Sequence, residues 1–199
     1  MIATDLEPLL GSSPLRVRSS NPSSRTFIEF CRQNPELRVE QDAEGILEIM
    51  APTFSETGIY SGRLFRQLDE HCERTGSGYA FDSSAGFALP DGAKRSPDAS
   101  WIPSDKWESL SDEEQQSFAQ ICPDFVIELM SKSDSLSQAQ AKMAEYLRNG
   151  SRMGFLIDRK TRTVFVYRPN EEAEELVNPT EVSAEPVIPG FALQMARLF

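Results

Sequence analysis

The run Phe125-Val126-Ile127-Glu128-Leu129-Met130 decides how this chain is read. It is short and apolar. Cys122-Pro123-Asp124 precede it and Ser131-Lys132-Ser133-Asp134 follow it. A run of that length predicts a central strand buried on both faces. Downstream, Leu136, Ala139, Met143, Tyr146 and Leu147 recur at helical spacing. Asp134 or Ser135 is expected to cap that helix, and Gly150 to end it after Asn149. Residues 155–158 and 163–167 then predict a hairpin around Arg159-Lys160-Thr161. A helix between two strands is a crossover. It implies an α/β sandwich with a parallel pair at its centre.

Working outward, Tyr60, Leu64, Leu68 and Cys72 repeat every four residues, with Phe65 widening the stripe. They predict a helix over 57–74, stopped by Gly76 and Gly78. Strands are predicted over 79–81, 86–89 and 98–102, with Pro90-Asp91-Gly92 as a turn. Residues 104–120 carry polar and acidic helix formers and predict one or two surface helices. Upstream, Thr26 is expected to cap a helix through Gln33, and 37–41 and 46–50 to form two strands joined through Asp42 and Gly45. Residues 1–24, rich in Ser and Pro, read as a loose arm ahead of a single domain over 25–199. Residues 176–177 and 187–188 are candidate edge strands. From residue 57 the order is helix, three strands, helix, strand.

A chain of 199 residues with 39% hydrophobic and 26% charged residues fits one soluble domain with a sizeable core. No apolar run approaches the roughly 20 residues of a membrane span. Asp5 and Glu7 break up the N-terminus, so a secretory signal is not expected. Cys31, Cys72 and Cys122 are odd in number and lack C-x-x-C spacing. They read as buried thiols in a reducing cytoplasm. The net charge of −11 argues against a broad nucleic-acid-binding face. The charge is segregated, however. Arg148, Arg152, Arg159, Lys160, Arg162 and Arg168 form a basic stretch just before an acidic one that begins at Glu171.

Two acids stand out. Glu128 interrupts an apolar run, and Asp98 leads into another. Such an acid is costly to bury unless something positive meets it. A divalent cation is a usual way to hold two carboxylates together, and Mg²⁺ or Mn²⁺ in such a site points to phosphodiester hydrolysis. A lysine near the scissile phosphate would orient water or stabilise charge. None lies two residues after Glu128, where Met130 stands. Lys142, on the flank of the next helix, is favoured over Lys132 just past the strand.

Plainer readings exist for each residue. Asp98 suits a turn, Arg95 or Arg148 would neutralise Glu128, and Lys142 suits a solvated helix face. Asp124 reads as a loop end, His71 as a helix flank, and Trp101 and Trp107 as packing anchors. There is no glycine-rich phosphate loop and no nucleophile elbow.

The segments Gly86-Phe87-Ala88-Leu89-Pro90, Arg95-Ser96-Pro97-Asp98-Ala99-Ser100-Trp101, Cys122-Pro123-Asp124-Phe125-Val126-Ile127-Glu128-Leu129, Lys142-Met143-Ala144-Glu145-Tyr146 and Val166-Tyr167-Arg168-Pro169 resemble the Uma-two family. That family of restriction-endonuclease-like proteins is abundant in cyanobacteria and is similar to PD-(D/E)XK nucleases. The resemblance runs from about residue 26 to the C-terminus. It implies a mixed α+β restriction-endonuclease-like core with an added N-terminal helix and hairpin. It also implies a Mg²⁺-dependent (or Mn²⁺-dependent) endonuclease acting on DNA, working as a homodimer. Carried over by residue, it makes Asp98 and Glu128 the metal-binding acids and Glu56 a further ligand. Met130 departs from the pattern at the lysine position, which leaves Lys142 as a relocated lysine. The alternative is a nuclease fold that has lost cleavage and serves as a binding or assembly module.

Overall fold

A computed structural model describes residues 6–8, 15–19, 23–50, 55–131 and 134–199. In chain order the elements begin with β1 (Leu6–Pro8), β2 (Leu15–Ser19), α1 (Ser24–Gln33), β3 (Arg38–Gln41), β4 (Ile46–Met50) and α2 (Ser55–Thr75). Next come β5 (Gly78–Asp82), β6 (Phe87–Ala88), β7 (Lys94–Arg95), β8 (Ala99–Pro103), α3 (Ser104–Glu108) and α4 (Asp112–Gln115). The chain continues with β9 (Phe125–Leu129), α5 (Leu136–Arg148), β10 (Met153–Asp158) and β11 (Thr163–Tyr167). It closes with β12 (Glu174–Val177), β13 (Glu181–Ser183) and β14 (Ala192–Gln194).

The main sheet has the order β12-β11-β10-β9-β8-β5. β9 and β10 are its parallel centre, with Glu128 beside Leu156, and α5 is the crossover between them. β8 runs antiparallel to β9, with Ala99 beside Ile127. The predicted helix, three strands, helix, strand core is therefore present as α2, β5, β8, β9, α5 and β10. The strand predicted at 86–89 is not one of those three. Phe87–Ala88 leaves the main sheet and joins a second sheet of order β1-β2-β4-β3-β7-β6.

Alternation along β9 assigns the two faces. Phe125, Ile127 and Leu129 pack with Leu64, Leu68 and Cys72 of α2. Val126 packs with Met143 and Tyr146 of α5. Glu128 shares the parity of Val126 and therefore faces α5. The helix lies close to the sheet because Gly154 of β10 has no side chain, and a Cβ there would collide with Met143 and Val126.

Other boundaries moved for local reasons. Ser23, not Thr26, caps α1, accepting the Thr26 N–H. Leu136 is 38% exposed and contributes little to the α5 stripe. Of the arm expected over 1–24, Leu15–Ser19 is not loose but pairs antiparallel with β4. Residues 1–5, 9–14 and 20–22 lie outside the described residues. Val187 and Ile188 are buried but form no strand, and the terminal pair is β13 with β14. Among the described residues no helix is long and apolar enough to cross a membrane.

Candidate active site

Glu128 occupies the single half-buried position of β9, and Asp98 sits just ahead of β8. The antiparallel register places the two one step beyond the Ala99–Ile127 pair. They meet on the α5 side of the main sheet. One oxygen of each is tied inward. Asp98 Oδ2 accepts the Leu129 N–H at 2.9 Å. Glu128 Oε1 accepts the Tyr146 hydroxyl at 2.8 Å and faces Lys142 Nζ at 2.9 Å. Asp98 Oδ1 forms a longer, 3.6 Å ion pair with Arg38.

Lys142 and Tyr146 are one helical turn apart, so α5 presents both to the same carboxylate. A lysine is thus beside Glu128 although none stands at position 130. Met130 continues the β9 backbone, donating its N–H to the Ile157 carbonyl, and its side chain packs into the apolar cluster under α5. Lys132 lies outside the described residues.

The structure adds a residue the sequence did not single out. Glu40 of β3 is 2% exposed and accepts from Lys142 Nζ at 3.0 Å. It also accepts the Ser96 N–H at 3.0 Å and pairs with Arg95 at 3.2 Å. Arg95 in turn forks onto both oxygens of buried Glu145 and reaches Glu48 at 3.4 Å. Arg38 donates to the Ser96 carbonyl. The second sheet thus grips the segment leading into Asp98 and holds one side of Lys142.

Burial pushes the Glu128 carboxyl up to about 7, and the charges of Asp98 and Glu40 add to that against the pull of Lys142. Burial also raises Asp98, opposed by the Leu129 N–H and Arg38. Burial disfavours a charged Lys142, but Glu128 and Glu40 outweigh it and keep the amine protonated well above its usual range. Glu40 goes the other way. Despite burial, Lys142, Arg95 and the Ser96 N–H hold it below the usual carboxylate range.

The remaining sequence candidates find other places. Glu56 is half-exposed at the start of α2, on the opposite face of the sheet from Glu128, and pairs with Arg159 at 3.3 Å. Among the described residues no group of three or more His, Cys, Asp or Glu is arranged to hold a metal. Arg95 serves Glu40 and Glu145 rather than Glu128, and Arg148 is exposed. Asp124 is a loop clamp, ion-paired to Lys106 at 2.7 Å. The predicted basic stretch is split. Arg152 precedes β10 and Arg159 follows it, roughly 20 Å apart along the strand.

The two acids suit a hard divalent cation. Each is an oxygen donor, each has its inner oxygen fixed, and like charge destabilises the empty pair. Asp98 and Glu128 would be the protein ligands to Mg²⁺ or Mn²⁺, with Lys142 beside them.

Residues 25–196 match the family model Uma2, described as "Putative restriction endonuclease". The chain belongs to the Uma2 family. Among solved structures, this Uma2 chain is similar to one from Anabaena variabilis described as a "putative nuclease belonging to DUF820". Sequence identity is 26%, the TM-score is 0.67, and the match covers 82% of this chain and 90% of the other. No curated protein matches the chain. The nuclease-like fold expected from the sequence is therefore shown.

Proposed function

We propose that this chain is a divalent-metal-dependent endonuclease that hydrolyses phosphodiester bonds of DNA. The observation that carries the reading is the convergence of Asp98, Glu128 and Lys142 on one face of the parallel sheet centre. Membership of Uma2 and the likeness to the DUF820 structure from Anabaena variabilis support it.

Asp98 and Glu128 would hold Mg²⁺ or Mn²⁺, which would supply charge stabilisation and lower the pKa of a bound water. Leu129 N–H and Tyr146 fix the carboxylates so that they need not reorganise. Lys142 has three N–H donors, of which Glu40 and Glu128 take two. The third is left for the attacking water or a phosphate oxygen. Cleaving both strands of a duplex takes two such sites, so the working unit we infer is a homodimer. Light scattering coupled to gel filtration checks that.

Supercoiled plasmid incubated with Mg²⁺ or Mn²⁺ tests the function. Nicking or linearisation should be abolished by EDTA and lost in Asp98→Ala and Glu128→Ala. A folded wild-type protein that leaves every polynucleotide intact would leave the fold as a binding or assembly module instead.

A further inference from the structure

Outside that site, a groove of about 470 Å³ lined by arginines lies between the outer face of α2 and the C-terminal segment. Arg63, Arg66, Arg74 and Arg197 line it, with Glu70 the single acid among its lining residues. Among the lining residues four arginines stand against one glutamate, in a chain whose net charge is −11, with Glu181 and Glu185 bonded to the lining at Gln194 and Gly190. The guanidiniums are poorly neutralised. Arg66 pairs with Glu70 at 2.7 Å. Arg63 donates to the Arg197 carbonyl at 2.7 Å rather than to an acid. Arg74 lies against Nδ1 of buried His71 at 2.9 Å. Arg197 is exposed.

The row continues along α2 past Tyr60 to the end of β10, on the sheet face opposite Asp98 and Glu128. Arg63 and Arg159 both lie over the Tyr60 ring, at 5.5 and 3.3 Å from its centroid. Arg159 directly follows β10, whose Leu156 is beside Glu128. That puts it about 10 Å along the strand from the level of the acid. Arg74 and Arg63 are themselves about 16 Å apart along the helix. A row of that length outruns a single nucleotide's phosphates and suits successive phosphates of a polymer. Arginine is also the side chain best shaped to fork onto phosphate oxygens.

We infer that this arginine row is a track for the phosphodiester backbone of DNA, running along α2 on the sheet face opposite the acids to the strand end at which Asp98 and Glu128 sit. The inference rests on the nuclease reading above for the identity of the polymer. It explains how a strongly acidic chain engages DNA. Binding is confined to one basic strip instead of a broad face.

The test is binding without cleavage. A short fluorescein-labelled DNA duplex is titrated with the protein in EDTA, across a series of salt concentrations, and followed by anisotropy. The double variant Arg74→Ala/Arg197→Ala should weaken binding roughly tenfold or more and flatten the log-affinity against log-salt slope by about 2. Arg74→Lys/Arg197→Lys should restore most of the slope, which a folding defect would not allow. Arg148→Ala/Arg152→Ala, exposed at the other end of β10, should bind as wild type does.

An unchanged slope in the groove variant, or an equal loss in the Arg148/Arg152 control, would overturn the track. Displacement of the duplex by ATP at matched phosphate concentration would make the groove a nucleotide site and overturn it too. The nuclease reading is judged separately, by plasmid cleavage. Cleavage with a normal slope in the groove variant sinks the track alone. Groove-dependent binding without cleavage sinks the nuclease reading alone.

Discussion

Two glutamates share one lysine and are driven in opposite directions. Glu40 on β3 and Glu128 on β9 lie 3.0 and 2.9 Å from Lys142 Nζ. Glu40 is buried and Glu128 half-buried, yet Glu40 is held below the usual carboxylate range while Glu128 is pushed up to about 7. The difference lies in the other neighbours. Glu40 also has Arg95 and the Ser96 N–H, whereas Glu128 has a second acid, Asp98. One glutamate is a finished structural contact. The other is electrostatically incomplete, which is why we propose it, and not Glu40, as the cation ligand. The two sheets divide the work accordingly. The second sheet anchors the lysine, and the main sheet presents the acids.

Removing the anchor should have the largest effect. Arg95→Met leaves buried Glu145 without its cation and Glu40 with Lys142 alone, and should cost about 3–5 kcal/mol in urea unfolding. A loss below about 1 kcal/mol would mean Glu40 is not a finished contact. Next, Lys142→Met strips both glutamates of their shared partner. Cleavage should fall about 10²- to 10³-fold under saturating metal, and Glu128 should titrate still higher by carboxyl NMR.

The third prediction separates the two glutamates by pH in EDTA. An ionised Glu128 is disfavoured by the fold. Its penalty is absent below the unfolded value of 4.5 and grows as pH rises through about 7. Glu40 contributes stability above 4.5 that is lost as pH falls. Glu128→Gln should therefore stabilise the protein at about pH 8 by about 1 kcal/mol or more, with the gain vanishing near about pH 5. Glu40→Gln should destabilise it at the higher pH. Chemical denaturation at both pH values checks the crossing. The smallest effect is expected from Tyr146→Phe. It removes one of two donors to Glu128 Oε1 and should cost about 1 kcal/mol.

The half of this comparison in the main sheet was legible in the sequence. An acid inside Phe125–Leu129 conflicts with its neighbours, and that conflict marks Glu128. Asp98 was marked in the same way ahead of Ala99–Pro103. The stripe Ala139, Met143, Tyr146 put Lys142 on the flank that turns toward β9. The other half was not legible. Arg38-Val39-Glu40-Gln41 reads as an ordinary half-exposed strand, because its burial comes from a second sheet closing over Lys142 rather than from local pattern. Arg95 and Glu145, fifty residues apart, carry no local sign that they fork together. The short run Phe87–Ala88 gave no hint of which sheet it would join. Glu56 was carried over from the family resemblance, and its position at an exposed helix start, paired with Arg159, is a tertiary fact.

The most direct test is a calorimetric titration of Mn²⁺ into metal-free wild type, Glu128→Gln and Glu40→Gln at neutral pH. The account predicts that Glu128→Gln loses binding and that Glu40→Gln keeps it. Binding that survives in Glu128→Gln and disappears in Glu40→Gln would contradict the division between ligand and anchor.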